Sequence, residues 1–208
     1  MIEPPAVIRR RRIVVAIVVV IGTALLGFSM TRQPGDASFF WLTLALAAVW
    51  ITGALLSGPL HLGSRRRPVL TGTAVGLLVG AAFVVGGLVA REISWARESI
   101  ARVLEFANYG PLWVVVFLTV INGVAEELFF RGALYTALGA LYPGVISTVS
   151  YVIATLAAGN PMLGVAAAVL GTVCAFERRI TGGVLAPMLT HFLWGLAMVL
   201  ALPPVFGV

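Results

Sequence analysis

The chain has little charge and almost none of the usual chemistry-bearing residues. Only 11% of its 208 residues are charged, against 60% apolar. Soluble domains of this size carry about 25% charged and 45–50% apolar residues. An ordinary water-soluble globule and a disordered chain are both excluded. Lysine is absent: all 14 cationic residues are arginine, facing eight acidic ones. A single cysteine, Cys174, excludes an internal disulfide framework and any cysteine-rich metal site. There are two histidines, His61 and His191.

Long apolar runs fill the space that charge leaves. A membrane span needs about 20 mostly apolar residues. Stretches near Ile13–Met30, Phe39–Leu60, Val69–Ala90 and Pro111–Leu141 qualify. Shorter ones follow at Pro143–Ala158, Pro161–Phe176 and Val184–Leu202. The reading is an all-α, polytopic membrane helix bundle with about seven transmembrane helices. Pro34, Pro68, Pro111, Pro143 and Pro161 punctuate the runs, as expected of a residue that cannot continue a helix.

The net charge of +6 invites a nucleic-acid reading, but its placement points to membrane topology. Short cytoplasmic loops carry an excess of arginine. Arg9–Arg12 precede the first span, Arg65–Arg67 follow the second, and Arg178 and Arg179 follow the sixth. A cytoplasmic N-terminus puts all nine on one side. Arg32, Arg91, Arg97 and Arg102 on the other side are balanced by Asp36, Glu92, Glu98 and Glu105. The expected location is the plasma (inner) membrane, with an uncleaved first span and no nucleic-acid partner. Residues 1–110 are expected to hold the N-terminal spans and an interfacial amphipathic helix at about 91–107. In that helix Ile93, Ala96, Ile100, Leu104 and Ala107 recur at helical spacing, and Glu98 and Arg102 form an i,i+4 pair. Trp41, Trp50, Trp113 and Trp194 read mostly as an interfacial aromatic belt.

Ionisable residues inside hydrocarbon are expensive and by default suggest function. The fourth span carries Asn122, Glu126, Glu127 and Arg131. Glu127 and Arg131 are four apart with the acid first, the favourable order for a helical ion pair. Glu126 points about 100° away and shares a face with Asn122, leaving one carboxylate free to take a proton from water. Counted along the helix, Arg131 reaches roughly the inner interface. His191 falls at the depth of Glu126, so a second titratable group joins the first. Structural glue would explain one Glu–Arg pair but not the second glutamate. Thr155, Thr190, Thr172 and Ser150 can bond back to their own helices.

Glu126-Glu127-Leu128-Phe129-Phe130-Arg131 is similar to the first motif, Glu-Glu-x-x-x-Arg, of the CPBP family of CAAX-endopeptidase and bacteriocin-processing membrane proteases, also called Abi. Gly171–His191, with Glu177 to Gly183 and Ala186-Pro187, resembles the approach to the family's last motif. The resemblance covers about Trp113 to Val199 and makes 111–208 a CPBP-like core. It implies that Glu126 activates the attacking water, that Glu127 and Arg131 support it, and that His191 holds the oxyanion or the water. Asn122, Tyr151 and Thr155 are expected to support the substrate or the oxyanion. The family's Phe-x-x-x-His reads Tyr151 to Thr155 here, and its His-x-x-x-Asn/Asp reads His191 to Gly195.

Catalytic zinc wants three protein ligands, so no metal and no other cofactor is expected. The expected function is an intramembrane endopeptidase acting on a membrane-protein or peptide substrate and entered from the cytoplasmic side. The alternatives are a non-catalytic membrane scaffold, chaperone or immunity-type protein with a membrane-protein partner, and a small transporter or proton pathway.

Overall fold

The computed structural model describes residues 4–63 and 67–208. Arg65 and Arg66, two of the expected cytoplasmic arginines, lie outside the described residues. The architecture is an all-helical, polytopic bundle with no strand among the described residues. In chain order the helices are α1 (Pro5–Ser29), α2 (Ala37–Ser57), α3 (Pro68–Ala90) and α4 (Ser94–Asn108). They continue as α5 (Leu112–Leu138), α6 (Pro143–Leu156), α7 (Pro161–Thr181) and α8 (Leu185–Phe206).

Six of them, α1, α2, α3, α5, α7 and α8, are long and apolar enough to cross a membrane. The fifth expected span, α6, has 14 residues, a length of about 21 Å against a hydrocarbon core of about 30 Å. The outer surface of the bundle is apolar, in line with the composition. Ile17, Val20, Leu55, Leu77, Leu78, Val85 and Val89 are all exposed, a band of apolar surface that water would not tolerate.

Helix starts follow local chemistry. Proline opens α1, α3, α6 and α7, where its missing N–H costs nothing. The Asp36 carboxylate accepts from Ser38 N at 2.8 Å to cap α2. The Asn160 side-chain oxygen accepts from Met162 N and Leu163 N to cap α7.

Arginines gather at one end of the bundle and bond to carbonyls there. Arg10 donates to Leu56 O and Arg12 to Ala137 O. Arg178 donates to Arg131 O at 2.9 Å and lies over the Tyr135 ring. Cations placed on C-terminal carbonyls also suit the helix dipole. The opposite end carries α4, a helix of its own rather than an extension of α3. There the Arg102 guanidinium donates to the Ser99 hydroxyl instead of pairing with Glu98.

Glycine sets the tightest helix pair. On α3, Gly72 and Gly76 face α8. A Cβ on Gly72 would sit 2.5 Å from Ala186 O, and one on Gly76 2.9 Å from Thr190 Cα. Such close approach replaces the hydrophobic drive that lipid cannot supply. It also lets the buried Thr190 hydroxyl reach Gly72 O at 3.1 Å.

Two tryptophans depart from the expected belt. Trp41 and Trp113 are exposed in the first turns of α2 and α5. Trp50 is buried, with Phe129 and Phe130 at ring separations of 4.7 and 5.1 Å. Gly22 makes the room: a Cβ there would lie 2.2 Å from the indole. Trp194 also turns inward, beside His191.

Candidate active site

The fourth apolar run is not a regular α-helix. From Glu127 to Leu134, α5 winds as a π-helix, with i→i+5 bonding. Two carbonyls in this stretch receive side-chain donors. Arg178 donates to Arg131 O, and Thr136 Oγ1 donates to Gly132 O at 2.6 Å. That satisfies carbonyls which the regular ladder would otherwise have to serve. Widened turns of this kind occur mostly at functional sites.

Glu127 and Arg131 are fully buried, with side chains 0% exposed. Arg131 therefore lies inside the protein. Its Nη1 donates to Glu127 Oε1 at 3.1 Å and its Nη2 to Gly171 O at 3.0 Å. Its guanidinium lies 4.7 Å from the Tyr151 ring centroid. A Cβ at Gly171 would come within 2.9 Å of Arg131 Nη2, so α7 approaches closely enough to offer its carbonyl.

His191 arrives from α8. Its Nδ1 is 2.9 Å from Glu127 Oε1. One carboxylate oxygen is thus shared between Arg131 and His191. A carboxylate held by a guanidinium is ionised and can only accept, so Nδ1 carries the proton. In the neutral ring Nε2 then presents its lone pair. Nε2 is 3.9 Å from Glu126 Oε2, too far for a direct hydrogen bond and close enough for one water seated beside the pair to bond to both. Gly123 permits the ring to sit there: a Cβ would meet His191 Cδ2 at 2.9 Å.

Glu126 has a 17% exposed side chain, unlike its neighbour. The Tyr151 hydroxyl faces its carboxylate. The structure therefore brings Glu126, Glu127, Arg131, Tyr151 and His191 together. Asn122 lies one turn back along α5. Thr155 does not join them: its hydroxyl is spent on Tyr151 O of its own helix at 2.9 Å. Gly195, where the family's last motif has an amide, packs against Thr119. Among the described residues no group of three His, Cys, Asp or Glu is placed to hold a metal ion.

The sequence reading missed Glu177 and Thr190 as buried polar partners. Thr190 Oγ1 lies 2.9 Å from Glu177 Oε1, and both residues are buried. A glutamate inside the seventh helix, one turn before the next loop, was the available signal.

A cavity of about 640 Å³ lies between α2, α3, α4, α5, α7 and α8. Phe83, Val115, Met162 and Met198 are typical of its apolar lining, and Asn122 and Trp194 stand in its wall nearest the site. It approaches from the α4 end, opposite the arginine-rich end from which the sequence reading expects entry.

Residues 108–197 match the family described as type II CAAX prenyl endopeptidase Rce1-like. No curated protein and no solved structure matches the chain. Glu126, Glu127, Arg131, Tyr151 and His191 all lie within the matched residues, which make up less than half of the chain.

Proposed function

We propose that the chain is an intramembrane endopeptidase that cuts a peptide bond of a membrane-associated substrate. The observation that carries this reading is the division of labour between two adjacent carboxylates. Glu127 is committed to Arg131 and to His191 Nδ1. Glu126 is bound to no cation and looks across 3.9 Å at His191 Nε2.

A water held between Glu126 Oε2 and His191 Nε2 gives one hydrogen to each. Glu126 removes its proton as the oxygen adds to the substrate carbonyl carbon. The same carboxyl then returns that proton to the amide nitrogen as the C–N bond breaks. The products are a carboxylic acid and an amine, which together settle as carboxylate and ammonium, and the proton count closes. Glu127 fixes the tautomer of His191, Arg131 fixes Glu127, and the Tyr151 hydroxyl orients Glu126. A positioned general base of this kind contributes typically 10²–10⁴-fold in rate.

On this reading the arginine-rich end faces the cytoplasm of a plasma-membrane protein, and the N-terminus lies inside. The substrate is a membrane protein or a peptide drawn from the bilayer.

The test is hydrolysis in ¹⁸O-labelled water. The purified full chain in lipid nanodiscs is mixed with detergent-extracted membrane proteins, and new carboxyl termini carrying ¹⁸O are mapped. Labelled termini are expected with the wild type and not with Glu126→Gln. Equal maps from the two proteins overturn the reading and leave a membrane scaffold with a protease-like core.

A further inference from the structure

A buried chain of hydrogen bonds crosses three helices beside the site. Thr190 Oγ1, on α8, lies 3.1 Å from Gly72 O on α3 and 2.9 Å from Glu177 Oε1 on α7. Thr190 is 0% exposed and Glu177 2%. Thr155, Thr172 and Thr181 bond back to carbonyls of their own helices, the ordinary habit of a helical threonine. Thr190 was expected to do the same and reaches outward to two neighbours instead.

Counting hydrogens decides the state of Glu177. A hydroxyl carries one hydrogen and two lone pairs, and a backbone carbonyl only accepts. A carboxylate also only accepts. With Glu177 ionised, the three oxygens of the chain would share the single Thr190 hydrogen. Glu177 Oε2 is buried without a partner, and among the described residues no ion pair includes Glu177. The titratable groups close to it are Glu127 on α5 and Cys174 on its own helix, and neither supplies a positive charge. A buried charge without a cation is expensive, and such a group neutralises instead. A carboxylic acid closes the count: its O–H donates to Thr190 Oγ1, and the Thr190 O–H donates to Gly72 O. Oε2 is then a plain carbonyl oxygen, which tolerates the lack of a partner better than a charged one.

With its catalytic consequence resting on the peptidase reading, we propose that Glu177 is a positioning residue. Held as a neutral acid, it donates to Thr190, and the chain from Glu177 through Thr190 to Gly72 locks α8 against α7 and α3. The residue after Thr190 is His191, whose Nδ1 lies 2.9 Å from Glu127 and whose Nε2 lies 3.9 Å from Glu126. Locking α8 therefore fixes both of these distances. α7 then serves the site twice, through Gly171 O on Arg131 and through Glu177 on α8.

Two spectroscopic readings on the full chain in nanodiscs test this without turnover. Infrared difference spectra at neutral pH, wild type against Glu177→Gln, are expected to show the carbonyl stretch of a protonated carboxylic acid in the wild type alone. ¹⁵N NMR of the histidine-labelled chain then reads the imidazole, with the His191 signals identified by their loss in His191→Gln. These signals are expected to move in Glu177→Leu and in Thr190→Val. They are expected to stay in Glu177→Gln and Thr190→Ser, which keep a donor at each link. For a mapped substrate, Glu177→Leu and Thr190→Val should lower kcat by ~10-fold or more with little change in KM, the mark of a displaced reacting group.

The absence of the acid band overturns the proposal, and so do His191 signals indifferent to Glu177→Leu and Thr190→Val. The infrared comparison needs only the wild type and the isosteric Glu177→Gln, so it decides even where the apolar variants fail to fold. Glu126-dependent cleavage without the acid band refutes the role of Glu177 alone. The acid band and the moved signals, in a chain that cleaves nothing, refute the peptidase alone.

Discussion

Adding one methyl group at Gly72 or Gly76 should disable the site from a distance. A Cβ at Gly72 would stand 2.5 Å from Ala186 O and 2.9 Å from Leu189 Cβ, roughly 1 Å inside the ~3.5 Å optimum. The nearest obstacle is backbone, so no flexible side chain can turn away. The two helices must separate by some tenths of an ångström up to about 1 Å, at an overpacking cost of about 1–3 kcal/mol. α8 carries Thr190 and His191, so the same displacement stretches the Thr190–Gly72 hydrogen bond and moves the imidazole relative to Glu126. Misplacement by about 1 Å can cost 10²-fold in rate. Gly86, on the same helix, is the control. Nothing lies within 4 Å of its Cβ position, so alanine there should leave stability unchanged or raise it by up to about 1 kcal/mol. Thermal or SDS-induced unfolding in micelles gives the stability, and the cleavage rate of a mapped substrate gives the geometry. Gly72→Ala as stable and as active as Gly86→Ala would refute the packing argument.

Other substitutions probe separate parts of the account. Arg131→Met strands a fully buried Glu127 carboxylate and should cost about 3–5 kcal/mol. Adding Glu127→Gln should recover much of that in the same unfolding assay. Asn160→Ala removes the α7 cap together with the 2.6 Å hydrogen bond to Ser99 O that ties α4 down. It should cost about 0.5–2 kcal/mol and raise amide exchange in α4 before the rest of the bundle. At the start of α2, the hydrogen bond from Ser38 N holds the Asp36 carboxyl below the ordinary carboxylate range. Its capping contribution is therefore present above that range and lost as pH falls through the lowered value. Amide exchange at Ser38 should accelerate on acidification and lose that dependence in Asp36→Asn.

Much of this was legible in the sequence, because membrane helices advertise themselves by length and composition. Proline and arginine then marked where they end. The Glu127–Arg131 pair followed from i,i+4 spacing, and the meeting of Glu126 with His191 from matching depth. What depended on tertiary packing was not legible. The π-helical winding of Glu127–Leu134 comes together with Arg178, a residue from another helix, donating to a carbonyl of α5. Trp50 and Trp194 looked like belt residues because their burial is decided by Gly22 and by His191 on neighbouring elements. The Gly72–Gly76–Gly80 spacing was readable as a close-packing stripe, but not which helix it would meet. The direction of the cavity followed only from the placement of α4 across its far end.

The central claim is that the free carboxylate of Glu126 performs hydrolysis. The most direct measurement maps protein N-termini in membranes of cells lacking the chain, complemented with wild type or with Glu126→Gln at matched expression. The account predicts new N-termini with wild type alone. Identical maps, with Glu126→Gln still rescuing any defect of the deletion, would contradict it.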